Sequence, residues 1–358
     1  MRNSPNPRHC IRLGASAPAL INRFSATLGV VALVFLFNVS TALAANWYVD
    51  ASAVGTANGT SWANAWTSFA QINQAGLAPD DVVWIRSGTY NERFVIAQSG
   101  TSGHRIKYVG TGTTRPILRG ISGGAFTDIA ILNLEIAQLS TANNYDAITL
   151  RGATRWLIQD NYIHNTYLSG VNVINSIASS YNVIRHNTFA DIGTISGGNG
   201  GGSNPNVISL LGDYNLVEYN TVNRSMDRTR AFGTGNVVRN NYWGYTDTSL
   251  YPSSPQYPSH TDGFQSFEGG PALVQFLYER NYDVDNTDTI GGTNAHGFLV
   301  QDAVGSNGFT WEILRFNQMI RPGGGAASWQ NVSRTYVYNN TFVALQNGSP
   351  SNFITRVT

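Results

Sequence analysis

The chain has 358 residues, of which 42% are hydrophobic, 11% aromatic and only 12% charged. That aromatic content excludes an intrinsically disordered chain. A coiled coil or helical bundle is disfavoured, because the chain has only one lysine and six glutamates and many Asn, Gly, Ser and Thr residues. The formal net charge of +1 provides no basic surface, so we expect no nucleic-acid partner.

Residues 1–44 have the pattern of a secretory signal peptide. Four arginines precede an apolar run over residues 28–37, and residues 42–44 (ALA) form a small-x-small cleavage pattern. The alternative is an uncleaved anchor, but the run is shorter than the ~20 residues of a membrane span. We therefore expect a secreted, periplasmic or cell-surface protein without a membrane span. Cleavage removes Cys10. It also removes four of the 22 basic residues and none of the 21 acidic ones, so the mature chain has a net charge of −3.

The mature chain, residues 45–358, is expected to form one domain. Residues 66–75 are predicted to form a short helix that caps its N-terminal end, because an uncapped repeat fold exposes sheet edges. No comparable segment follows Asn340, so we expect the C-terminal cap to be missing.

A short phrase recurs along the domain: alternating apolar and polar residues, then an Asn, then another apolar pair. Its asparagines are Asn133, Asn161, Asn187, Asn220, Asn241, Asn281, Asn317 and Asn340. The shortest separations, 21 and 23 residues, do not fit the alternative of a β-propeller, whose blades need about 40–45. We predict an all-β fold, a right-handed parallel β-helix in which apolar residues stack inside and the asparagines form a hydrogen-bonded ladder at one turn.

The opening of the mature chain carries a family resemblance. Residues 46–50 (NWYVD), 59–62 (GTSW), 80–92 (DDVVWIRSGTYNE) and 99–108 (SGTSGHRIKY) are similar to the first coils of secreted bacterial right-handed β-helix proteins. These include polysaccharide lyases of the pectate-lyase and alginate/chondroitin-lyase kinds. The resemblance implies the fold, and it implies a polysaccharide substrate less specifically, because the same scaffold supports several activities.

Two insertions, residues 193–206 and 244–259, are expected to wall one face of the helix. The second contains Tyr245, Tyr251 and Tyr257, which are suited to stacking on sugar rings if they are exposed. Alternatively, the loop folds onto the coils and buries these tyrosines.

Polar residues after this loop are candidates for acid–base chemistry. His260 and Asp262 precede a Gly-Phe pair that should align with the Gly-Phe pair after His296, because stacked coils lie ~4.8 Å apart. We predict that these three residues and Asp302 are catalytic. Gln265, Gln301 and Arg321 are predicted to bind substrate. The competing interpretation makes Asp262 and His260 turn residues that cap backbone N–H groups.

An acidic segment follows in the next repeat. Asp283, Asp285 and Asp288 are candidate Ca²⁺ ligands, because oxygen ligands at such density suit this cation. Calcium-dependent lyases of the resembled kind use a lysine base, and the single lysine, Lys107, lies in an early coil. Arg321 or Arg315 could replace it. The alternative is a solvated acidic turn.

Three functions remain open. The first is an exported enzyme that cleaves a uronate-containing glycan by β-elimination, acting as a monomer. The second is a glycoside hydrolase on the same scaffold with a carboxylate pair such as Asp262 and Asp302. The third is a non-catalytic surface or adhesive protein. The Asn ladder and the apolar stacks are needed by all three and do not discriminate between them.

Overall fold

The computed structural model describes eleven segments of the chain. They are residues 43–138, 144–174, 179–194, 205–225, 227–245, 262–267, 272–284, 296–301, 309–320, 325–343 and 354–357. These segments belong to one compact unit that extends from Ala42 to Thr358.

The described residues form one short helix, α1 (Phe69–Ile72), and 31 strands. The strands are β1 (Asn46–Val49), β2 (Val82–Arg86), β3 (Thr89–Val95), β4 (Ile106–Thr111), β5 (Ile117–Gly123), β6 (Ile129–Leu132), β7 (Glu135–Ala137), β8 (Ile148–Arg151), β9 (Leu157–Gln159), β10 (Tyr162–His164), β11 (Val171–Ile174), β12 (Val183–Arg185), β13 (Thr188–Ala190), β14 (Asn206–Leu210), β15 (Leu216–Glu218), β16 (Thr221–Val222), β17 (Asp227–Ala231), β18 (Gly233–Thr234), β19 (Val237–Arg239), β20 (Tyr242–Trp243), β21 (Asp262–Phe267), β22 (Leu273–Val274), β23 (Leu277–Glu279), β24 (Tyr282–Val284), β25 (His296–Gln301), β26 (Thr310–Arg315), β27 (Gln318–Ile320), β28 (Gly325–Gln330), β29 (Ser333–Tyr338), β30 (Thr341–Val343) and β31 (Ile354–Val357).

The strands stack into three parallel sheets that wind around one axis. Sheet 1 runs β1-β2-β4-β6-β9-β12-β15-β19-β23-β26-β29, with the short pair β18 and β22 beside it. Sheet 2 runs β7-β10-β13-β16-β20-β24-β27-β30, and sheet 3 runs β8-β11-β14-β17-β21-β25-β28-β31. In the first coils β3 and β5 are long enough to belong to sheets 2 and 3 at once, because β5 pairs with β7 of sheet 2 and with β8 of sheet 3. This arrangement is a parallel β-helix, which confirms the predicted fold.

Alternate side chains of each strand fill the interior. The inward column of sheet 3 includes Phe264 and Phe298, whose rings stack with centroids 4.6 Å apart, and Phe264 also stacks on Phe276 at 4.6 Å. All three are fully buried. Offset aromatic stacking along the axis therefore replaces aliphatic packing in these coils.

The N-terminal end is closed by α1, which is shorter than the predicted span of residues 66–75. Its buried residues are Phe69 and Ile72, and Phe69 stacks on Phe94 at 4.7 Å. The Gln71 side chain accepts a hydrogen bond of 3.2 Å from the backbone N–H of Ser68 and so satisfies one free donor at the helix start. At four residues, α1 is far too short to cross a membrane, and the described residues contain no other helix.

The predicted asparagine ladder is present at the turn from sheet 1 to sheet 2. Each side-chain N–H₂ donates to the Oδ1 atom of the next asparagine, at 2.9–3.3 Å. Its members are Asn161, Asn187, Asn220, Asn241, Asn281, Asn317 and Asn340. Asn133 is not a member: Leu134 occupies its ladder position, and Asn133 has φ 55° and donates to the Gly110 carbonyl.

A second ladder, which the repeat analysis missed, lies at the start of the sheet 1 strands. Asn182 donates to Asn215, and Asn215 donates to Asn236, at 3.0 and 3.1 Å. All three are buried. The two ladders therefore hold both ends of sheet 1 in register, because each amide satisfies backbone groups of neighbouring coils.

Candidate functional site

The outer face of sheet 3 carries a continuous row of hydrogen-bonding side chains. The strand register places one such residue of each coil directly above the last. We call this row the polar column, and its members are Thr149, Asn172, Ser209, Arg230 and Gln265. Gln265, predicted to bind substrate, thus lies next to Arg230.

A second row, the turn column, lies where the chain enters sheet 3. Its members are Asp146, Ser169, Asn206, Asp227, Asp262 and His296. Backbone N–H groups donate to the side chains of preceding members: Ser169 to Asp146 at 3.1 Å, and Asp262 to Asp227 at 3.0 Å. The Asp227 side chain thus caps the backbone N–H of Asp262, and the competing interpretation, in which Asp262 itself caps a backbone N–H, stays a prediction.

Asp146 joins the two columns. Its Oδ2 atom accepts hydrogen bonds from the Asn172 amide at 2.9 Å and from the Thr149 hydroxyl at 3.5 Å. Burial raises the pKa of Asp146 above its ordinary value, although the Asn172 hydrogen bond opposes this effect. A carboxyl group that keeps its proton more readily than usual is suited to proton transfer.

Arg93 lies over the N-terminal end of the polar column. Its guanidinium donates to the Thr149 hydroxyl at 2.9 Å and lies 4.1 Å from the centroid of the Tyr145 ring. Gly120 makes this stack possible, because a Cβ atom there would come within 2.7 Å of the tyrosine ring. Burial lowers the pKa of Arg93, and the guanidinium nevertheless remains charged.

Arg230 is the fourth of the five members of the polar column. Its guanidinium lies 5.7 Å from the Phe267 ring centroid. Burial lowers the pKa of Arg230, and the charges of Asp227 and Asp146 act in the opposite direction. A partly desolvated guanidinium interacts more strongly with a ligand anion than an exposed one does.

Four buried polar atoms on this face lack a hydrogen-bond partner within the described segments. They are Arg93 Nε, Asn172 Oδ1, Ser209 Oγ and Arg230 Nε. Buried polar groups in proteins are nearly always paired, so such a cluster needs an explanation. These four atoms are shielded from solvent, so the polar surface that this face offers to a ligand is that of the partly exposed Asn172, Arg230 and Gln265 side chains.

The strand register shows where four of the predicted site residues lie, and Tyr245 is also within the described segments. Asp262 pairs with His296 in the strand register, and Phe264 pairs with Phe298, so the two Gly-Phe segments do align. Gln301 pairs with Phe267, outside the polar column. Tyr245 is 47% exposed. The remaining predicted residues lie outside the described segments; they are His260, Asp302, Tyr251, Tyr257, Arg321, Asp285 and Asp288.

Asp283 has a different environment from the solvated one expected of a calcium ligand. Its carboxylate is 2% exposed, accepts hydrogen bonds from Arg228 at 3.2 Å and from the Tyr278 hydroxyl at 3.0 Å, and lies inside the helix. Burial raises the pKa of Asp283 to about 6, against the charge of Arg228. No group of three potential metal ligands occurs among the described residues. Calcium binding at Asp285 and Asp288 stays a prediction.

Sequence reasoning missed the residues that define the face. Asp146 and Asp227 lie where the chain enters sheet 3, as Asp262 does, and Asn172 shares a register column with Gln265, so aligning all the strands rather than one pair would have found them. Arg93 had no such signal, because it reaches the face from a coil in which β3 serves two sheets.

Comparison with known proteins supports the architecture. No protein-family model matches the chain, and no curated protein matches it. Among solved structures, a rhamnogalacturonan lyase is similar with a TM-score of 0.59 and 14% identity over 88% of this chain and 87% of that one. An alginate lyase from Paenibacillus sp. str. FPU-7 has a TM-score of 0.53 and 15% identity over 81% and 96%. At these identities the likeness establishes the fold, that of the parallel β-helix proteins.

Proposed function

We propose that this protein is a carbohydrate-active enzyme that cleaves a uronate-containing polysaccharide by β-elimination on the outer face of sheet 3. The observation that carries the proposal is the polar column, a continuous row of hydrogen-bonding side chains with Arg230 and Gln265 in adjacent coils of the outer face. The two structural neighbours are named as lyases of rhamnogalacturonan and alginate, which supports the same substrate class.

β-Elimination needs three groups: a cation beside the uronate carboxylate, a base for the proton next to it, and a proton donor for the leaving oxygen. Arg230, one coil from Gln265 in the polar column, is the proposed cation, because a guanidinium can bind a carboxylate through two parallel hydrogen bonds. Asp262 and His296, in adjacent coils of the turn column, are the proposed base and proton donor. Arg93 and Asp146 lie three and four coils from these groups at ~4.8 Å per coil, so they would contact a more distant sugar of the same chain.

A glycoside hydrolase is the second candidate, and one observation favours it. Asp227 and Asp262 lie in adjacent coils, linked by the hydrogen bond from the Asp262 backbone. Hydrolysis by two carboxyl groups requires such a pair on one face. Asp302 remains the partner predicted from the sequence.

A product assay on a panel of glycans separates these functions. The full mature chain is incubated with polygalacturonate, alginate, a rhamnogalacturonan and a neutral glucan. An increase in ultraviolet absorbance from unsaturated uronate products is the expected result on at least one acidic glycan. New reducing ends without that absorbance would show the hydrolase. Binding without any product across the panel would show a non-catalytic protein.

The proposed substrate supports export, because intact polysaccharides do not cross membranes unaided. We infer that residues 1–44 direct export and are removed. The expected N-terminus of the mature protein is Ala45, which mass spectrometry of the protein in the culture medium or periplasm would identify. Retention of Met1 on a membrane-associated protein would contradict the inference.

A further inference from the structure

The outer face of sheet 1, away from the proposed site, carries a group of exposed aromatic side chains at its C-terminal end. They come from the adjacent coils of β26 and β29 and are each 41–47% exposed. We call them the aromatic patch, and its members are Trp311, Phe316, Tyr336 and Tyr338. Trp311 and Tyr336 are 6.5 Å apart between ring centroids, and Phe316 and Tyr338 are 6.1 Å apart.

Three guanidinium groups lie against this patch. Arg334 is 4.9 Å from the Trp311 ring centroid, and Arg280 and Arg315 are 5.5 and 5.9 Å from that of Phe316. Arg315 also donates a hydrogen bond of 3.0 Å to the Tyr338 hydroxyl. The rings therefore hold the cations at defined positions on an exposed surface.

The exposed charge of the patch is positive. Glu279 is the carboxylate beside it, and its side chain is 4% exposed because it forms salt bridges with Arg280 and Arg315. Glu312, on the same strand as Trp311, is 1% exposed. Arg334 forms no salt bridge with any described residue. The surface offered to a partner is thus aromatic and cationic.

Exposed aromatic residues elsewhere on sheet 1 differ in this respect. Tyr181 and Tyr214, at the turn before β12 and β15, stack face to face at 5.2 Å and are 56% and 46% exposed. No arginine lies over either ring within the described segments. This pair provides a matched control for the patch.

We propose that the aromatic patch is a second binding site, for an acidic polysaccharide chain, on a different sheet from the proposed site of cleavage. Aromatic faces accept the C–H faces of sugar rings, and guanidinium groups bind carboxylates through paired hydrogen bonds. Charge complementarity selects an anionic rather than a neutral glycan. The class of ligand rests on the proposed function, but binding at the patch requires no cleavage.

Affinity electrophoresis tests this site. The full mature chain and its variants migrate through native gels containing polygalacturonate, or dextran as the neutral comparison. The W311A/Y336A double variant and R334Q should each bind polygalacturonate about tenfold more weakly, because truncating an aromatic or arginine anchor removes a large share of binding energy. Y181A/Y214A should bind as the parent does, and added salt should weaken the parent's retention.

The outcomes separate this inference from the proposed function. Loss of retention in W311A/Y336A, with unchanged cleavage of a short uronate oligosaccharide, supports the second site. Equal retention of the parent and W311A/Y336A overturns it, even if the parent forms unsaturated products. If the parent is retained as strongly in gels containing dextran as in gels containing polygalacturonate, the proposed ligand class is wrong. If sedimentation shows that the parent self-associates and W311A/Y336A does not, the patch is an interface between copies and the proposal is wrong.

Discussion

Glu312 provides the sharpest test of how the interior of the last coils is held together. This residue of β26 is 1% exposed, and its carboxyl group accepts a hydrogen bond of 3.0 Å from the Trp329 indole. Its Oε1 atom has no partner within the described segments, nor does Oγ1 of Thr335, its register neighbour. The Glu312 carboxyl therefore lies in an apolar interior with one hydrogen bond and no described cation beside it.

Burial raises the pKa of Glu312 to about 8, against the smaller opposite effect of the Trp329 hydrogen bond. The ordinary value is 4.5. Between these values the folded chain keeps the proton while the unfolded chain releases it, so the free energy of unfolding falls as pH rises. The stabilisation that comes from keeping the Glu312 proton is complete below pH 4.5 and is lost above about pH 8. At ~1.4 kcal/mol for each pH unit, the loss is about 5 kcal/mol.

The Glu312→Gln variant removes the ionisation and keeps an oxygen for the Trp329 N–H. Urea unfolding between pH 4 and pH 9 should show little difference from the parent at the acidic end. The variant should become progressively more stable than the parent, by roughly 3–5 kcal/mol above pH 8. Glu279→Gln is the control, because it breaks the salt bridge with Arg315 and should destabilise the protein at neutral pH. A Glu312→Gln effect that does not change with pH would refute the reasoning.

Two further predictions concern buried polar groups. Asn187→Ala should lower the free energy of unfolding by about 3 kcal/mol, because it leaves buried donors and acceptors of two coils unpaired. Asn223→Ala, at an exposed position outside the ladder, should cost much less, and equal losses in urea unfolding would contradict the ladder's role. Asp283→Asn should destabilise by about 3–5 kcal/mol, because it removes the charge of one partner of the buried Arg228–Asp283 ion pair, whereas the R228M/D283L double variant should recover most of the loss. A double variant as unstable as Asp283→Asn would contradict that account.

The fold was predictable because its stabilising groups repeat. Each coil places an asparagine at the same turn, so the phrase around Asn161, Asn187 and Asn220 reveals the period directly. The ladder at Asn182, Asn215 and Asn236 was missed because it spans only three coils. Asn133 was assigned to the ladder in error, since its coil has Leu134 at that position.

The candidate site was only partly predictable. The alignment of Asp262 with His296 followed from one repeated Gly-Phe pair and is confirmed by the register. Arg93 and Arg230 come from distant coils, and only the winding of the chain places them on one face. Asp283 was placed wrongly for a different reason. An acidic segment indicates a solvated surface, but side chains alternate between the two faces of β24, and this alternation directs the Asp283 carboxylate inward to Arg228.

Turnover measured on variants of the two faces tests the central claim most directly. On the acidic glycan that the parent cleaves, Asp262→Asn should lower turnover roughly 10²–10⁴-fold, as loss of a general acid or base does. Arg230→Gln should lower kcat/KM roughly 10–100-fold, as loss of a charged hydrogen bond does. Arg239→Gln, which removes a sheet 1 arginine paired with Glu218, should leave turnover unchanged. Full turnover by folded Asp262→Asn and Arg230→Gln proteins would contradict the assignment of the polar column and the adjoining turn column of sheet 3 as the catalytic site.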